Sequence, residues 1–130
     1  MSKWLAITAA VVLGMGLSAC TTTQNLTTNM QSLSTNYKLF ESSTDQQEAL
    51  QALKNMQTAA LASQKQRPVS LPKASTHAAD FEAYQGLYTE LNAEIVKAQA
   101  LTEAGQLDQA KQHLKNMDAI KKQGHQRYKP

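Results

Sequence analysis

Cysteine occurs once, at Cys20, so the chain cannot form a disulfide within itself. Proline stands at only three positions (Pro68, Pro72 and Pro130), and glycine is equally sparse after residue 19, at Gly86, Gly105 and Gly124. The single tryptophan, Trp4, lies in an apolar leader, and beyond that leader valine and isoleucine together number four: Val69, Ile95, Val96 and Ile120. So few β-branched apolar residues argue against a sheet, and so little punctuation argues for long helices. Charge is weak as well. The chain of 130 residues carries +3. Thirteen bases less Lys3 in the leader, against ten acids, leave +2. The bases are interleaved with carboxylates, which excludes an electrostatic nucleic-acid binder. The length suits one domain with one modest core.

The leader has the form of a secretion signal. Lys3 supplies a minimal positive start, Trp4 to Leu17 is uncharged and apolar, and Ser18 and Ala19 are small. The apolar run is short for a bilayer span. Leu17-Ser18-Ala19-Cys20 resembles the lipobox of bacterial lipoproteins. That resemblance implies removal of residues 1–19, lipid on Cys20 and, with Thr21 rather than an acid following, sorting to the outer membrane. An ordinary signal cut after Ala19 is the alternative. Two acyl chains anchor a protein stably. Residues 20–24 then form the lipidated cysteine and a short tether, and residues 25–130 the domain.

Four blocks of helical periodicity follow. In the first, Leu26, Met30, Leu33, Tyr37 and Phe40 step by three and four, forming one narrow stripe predicted to be buried. Thr44 with Gln47 has the spacing of a capping box and is expected to open the second helix, which carries Ala49, Leu50, Leu53, Met56, Ala60 and Leu61. Residues 66–76, with Pro68 and Pro72, are the one long loop. The third helix carries Phe81, Tyr84, Tyr88, Leu91, Ile95 and Ala98 and stops at Gly105. The fourth is expected to run unbroken from Leu107 through Ala110, Leu114 and Met117 to Tyr128. Short connections force neighbouring helices antiparallel, so the fold class is all-α, an up-down-up-down four-helix bundle.

Chemistry is harder to place. The sequence has no glycine-rich phosphate loop, no nucleophile motif and no C-x-x-C-H for covalent haem. It also lacks the E-x-x-H pairs of a di-iron bundle. The chain ends hold the remaining candidates. Met30 lies roughly 9 Å into the first helix and His125 roughly 8 Å from the end of the fourth, at 1.5 Å per residue. In this topology both fall at the same end of the bundle, beside the 66–76 loop. A thioether and an imidazole facing each other there are a known axial pair for haem iron. Taken singly, Met30 reads as a core methionine and His125 as a residue of a fraying terminus. His77 in the loop is a competing ligand, Met56 reads as pocket wall or core, and His113 is expected to face solvent.

Asn25-Leu-Thr-Thr-Asn-Met30, Met56-Gln-Thr-Ala-Ala-Leu-Ala-Ser-Gln-Lys65 and the stretch from Gly105 to His125-Gln-Arg-Tyr128 resemble the cytochrome b562 family across nearly all of residues 24–130. Members of that family are themselves examples of this bundle. The resemblance implies Met30 and His125 as haem ligands, with Leu26, Leu33, Tyr84 and Tyr88 in the pocket. Tyr88 stands where the family has phenylalanine, and its hydroxyl needs a partner, a haem edge or water. Lys121 stands where the family has arginine, one turn before the histidine. Gly124 replaces an aromatic, which weakens the last turn by about 1 kcal/mol and leaves a hole beside the haem. Lys121, Lys122, Arg127 and Lys129 form a solvated helix end, or a contact for haem propionates or an acidic redox partner.

The reading that follows is a periplasm-facing b-type cytochrome, monomeric and not an enzyme. It would hold one non-covalent haem b, pass single electrons to an unknown partner protein and touch the membrane through lipid alone. The alternative is a haem-free lipoprotein bundle serving as a structural or partner-binding module. The two differ at the bundle mouth. A cytochrome leaves an apolar slot between Met30 and His125, whereas a scaffold collapses that end.

Overall fold

A computed structural model describes residues 25–68, 71 and 78–128. The leader with Cys20 and the tether, as well as His77 and Lys129, lie outside the described residues. Every regular element among the described residues is helical: α1 (Leu26–Ser42), α2 (Gln46–Gln64), α3 (Ala78–Glu103), α4 (Leu107–Lys111) and α5 (Leu114–Arg127). They form four antiparallel arms, the last built from α4 and α5.

Local chemistry sets the ends of the arms. Asn25 Oδ1 accepts the Thr28 amide at 2.9 Å and opens α1. The second helix opens one residue later than its capping-box spacing predicts. Asp45 Oδ2 accepts the Glu48 amide at 2.8 Å, so Asp45, not Thr44, is the cap. A carboxylate there satisfies an orphan N–H and also favours the positive end of the helix dipole, which a threonine hydroxyl does only through the bond. Gly105 closes α3 with φ of +80°. Its amide bonds Thr102 O at 3.0 Å and the Gln106 amide bonds Leu101 O at 2.8 Å, a Schellman cap that glycine adopts at little cost.

The fourth arm is not the unbroken helix that the periodicity predicts. At Gln112 and His113 the ladder tightens to i→i−3 bonds, Gln112 N to Gln109 O and His113 N to Ala110 O, both 3.1 Å. The turn is pinned to α3 by His113, whose Nδ1 lies 2.7 Å from Glu94 Oε1. His113 is therefore half-buried and paired instead of facing solvent.

Phe40, Leu53, Met56, Ile95 and Met117 fill the core, and Ala49, Ala52, Ala60, Ala98 and Ala110 let the helix backbones approach. Each large apolar side chain buried there contributes about 1.5–3 kcal/mol. Leu61 departs from its block and is 41% exposed. The α1 stripe is buried through only part of its length. Phe40 is fully covered, while Leu26, Met30, Leu33 and Tyr37 are half-buried. The reason is how the arms pack. α1 packs on α2, α2 on α3, and α3 on α4 and α5, but α1 and α5 are not closely packed. Tyr37, donating to Leu114 O at 3.3 Å, bridges that seam towards the bottom of the bundle.

Candidate functional site

The open seam is a cavity of about 430 Å3. That volume lies within the roughly 300–1,000 Å3 of small-molecule and cofactor sites. Its α1 wall presents Leu26, Met30, Leu33 and Tyr37, its α5 wall Ile120, Lys121, Gly124 and His125, and Met56, Tyr84, Leu87 and Tyr88 supply more of the lining. All the residues expected around the slot, Leu26, Leu33, Met56, Tyr84, Tyr88 and Lys121 together with Met30 and His125, are thus brought to one cavity. Met56 is both core and wall, only 1% exposed.

Three tyrosines order the mouth. Tyr84 is buried, and its hydroxyl donates to Ser63 O at 2.9 Å. Its ring meets the edges or faces of Tyr88 and Tyr128 at centroid distances of 5.1 and 5.5 Å, in T-shaped pairs. Tyr128 in turn donates to Asp80 O at 3.4 Å, tying the chain end to the start of α3. The Tyr88 hydroxyl, which needs a partner, finds one within the protein and donates to the Met30 sulfur at 3.2 Å. Burial pushes the Tyr84 phenol far above its ordinary value, with Tyr88 adding to the shift. Burial also raises Tyr88, with the hydroxyls of Tyr84 and Ser63 pulling the other way. Both phenols are neutral donors at neutral pH.

His125 stands on the cavity wall with its side chain exposed, and its imidazole makes no hydrogen bond among the described residues. Lys121 also lines the wall, its ammonium 5.8 Å from the Tyr37 ring centre. Lys122 pairs with Asp118 at 3.0 Å, and Arg127 lies over Tyr128 at 5.5 Å, so these two cations have partners on their own helix end. At Gly124 an added Cβ would meet only Leu87 Cδ1, at 3.8 Å, an ordinary contact with room beyond it.

Among the described residues no group of three or more His, Cys, Asp or Glu is placed to hold a bare metal ion. The cavity is lined largely by apolar and aromatic side chains, with one thioether, Met30, and one imidazole, His125, among its lining residues.

The sequence model of the cytochrome b562 family matches residues 25–129. The chain belongs to the cytochrome b562 family. No curated protein matches it closely enough to count as a relative. The family consists of haem-binding, electron-transferring cytochromes built as four-helix bundles. The residues in the slot fit that cofactor: apolar side chains and aromatic rings line the walls, and one soft and one nitrogen donor reach the same space.

Two pairings in this cytochrome, one at the site and one away from it at the α4–α5 turn, are not specified by the residue pattern. The Tyr88–Met30 bond joins residues 58 positions apart, and the His113–Glu94 bond joins two helices through polar side chains that periodicity does not weigh.

Proposed function

We propose that this cytochrome faces the periplasm, holds one non-covalent haem b between Met30 and His125, and passes single electrons to a partner protein. The observation that supports this most strongly is the slot itself, which stays open between α1 and α5 and takes both candidate donors into one lining. The haem-free scaffold rests on Gly124, and a collapsed mouth would favour it; the open cavity argues for the cofactor. When bound, the haem supplies the one-electron couple. The chain supplies the rest. Met30 and His125 would each supply a ligand to the iron, and two protein ligands suit electron carriage better than oxygen activation. A thioether ligand favours the ferrous state and raises the potential. Leu26, Leu33, Tyr84 and Tyr88, which line the slot, would keep water from the ring, and Lys121 on the same lining would meet a propionate. Export and lipid on Cys20 are proposed on the leader and its Leu17–Cys20 stretch.

Anaerobic titration of the purified protein with haem tests the reading. Stoichiometric binding with a low-spin, six-coordinate spectrum is expected. Folded protein that takes up no haem refutes it and leaves the scaffold.

A further inference from the structure

Of the two candidate donors to a metal, one is already engaged. The Tyr88 hydroxyl on α3 donates to the Met30 sulfur on α1 at 3.2 Å. The donor is held in place from behind. Its ring sits in a T-shaped contact with Tyr84 at 5.1 Å, and Tyr84 is itself fixed by its bond to Ser63 O at 2.9 Å. The hydroxyl therefore reaches the sulfur from a packed ring and not from a mobile exposed arm.

A thioether sulfur has two lone pairs. A hydrogen bond to one leaves the other for iron but draws electron density from the atom and turns the positive end of the O–H dipole towards it. Ferric iron carries one more positive charge than ferrous iron, so this dipole disfavours the ferric state more. The hydroxyl also adds polarity to the slot, which acts the other way. The oriented dipole next to the ligating atom prevails, because electrostatic effects fall with distance and this bond is partly shielded from water.

We propose that Tyr88 is a positioning residue for Met30: its hydroxyl orients the sulfur and biases the site towards ferrous haem. This rests on Met30 being a ligand, as the proposed function has it. The bias belongs to this chain's own side chains and is separable from haem binding as such.

The test compares wild-type protein with Tyr88→Phe and with protein carrying 3-fluorotyrosine at position 88, a stronger donor. Phenylalanine retains the ring and its contact with Tyr84, and fluorotyrosine retains the hydroxyl too, so the pair reports on folded protein. Titration with ferric and with ferrous haem should show the ferrous preference falling about threefold in Tyr88→Phe, a potential lower by about 28 mV at 59 mV per tenfold for one electron. Fluorotyrosine should move the potential the other way. In the haem-free protein, the Met30 methyl resonance should shift in Tyr88→Phe. Equal potentials in all three proteins overturn the inference. Should Met30→Ala abolish the low-spin spectrum while the Tyr88 variants leave the potential unmoved, the inference alone falls. Failure of the wild type to bind haem overturns both.

Discussion

His113 and Glu94 join the fourth arm of the bundle to the third, Nδ1 to Oε1 at 2.7 Å, at the turn where α4 gives way to α5. Glu94 also accepts from Asn116 at 2.9 Å and pairs with Lys97 at 3.4 Å. Partial burial works against ionisation of this carboxyl, but the bonds from His113 and Asn116 and the charge of Lys97 outweigh it. Together they hold its pKa below the ordinary 4.5.

A carboxyl depressed on folding contributes stability that is present above its unfolded value and lost as pH falls through the folded one. Urea unfolding midpoints should therefore hold steady from neutral pH to about 5 and drop below it. In Glu94→Gln this part of the acid dependence should flatten, with a loss of about 1 kcal/mol at neutral pH. Identical acid profiles for the two proteins would show that the cluster contributes nothing.

Replacement of either proposed ligand should separate affinity from fold. Met30→Ala is expected to keep its helical circular dichroism, lose the low-spin spectrum and bind haem at least about tenfold more weakly, about 1.4 kcal/mol. His125→Ala, which removes the nitrogen donor, should act in the same direction. A Met30→Ala protein with an unchanged spectrum refutes the axial assignment.

Gly124 offers a gain of function. Its Cβ position meets only Leu87 at 3.8 Å, so Gly124→Ala should raise stability by about 1 kcal/mol through helix propensity alone. Gly124→Tyr adds a ring beside the slot and is expected to tighten haem binding over wild type, read by competition titration. Weaker binding in the tyrosine variant would mean that the ring occupies the slot itself.

Export and anchoring have a direct measurement. Radiolabelled palmitate fed to expressing bacteria should enter the wild-type chain and be absent from Cys20→Ala, with the wild type in the membrane fraction. Equal label in both proteins excludes Cys20 as the attachment point.

The four arms and their order are legible in the residues alone, because helix periodicity, the sparse glycine and proline, and Gly105 act within a few residues of each other. The sequence also singles out Met30 and His125, since alternating arms bring the two chain ends together and their flanking residues carry the family pattern. Even some local detail escaped it. Asp45 and Thr44 are both good caps, and which one serves depends on how α1 hands the chain to α2. How the apolar stripe of α1 is used depends on the packing of the arms. Periodicity tells which side of a helix is apolar but not whether another helix covers it, and here α5 stands off, so Leu26, Met30 and Leu33 line a slot while Phe40 is buried. The Tyr88–Met30 and His113–Glu94 bonds depend likewise on the rotation and height of one helix against another, which only the packed core sets.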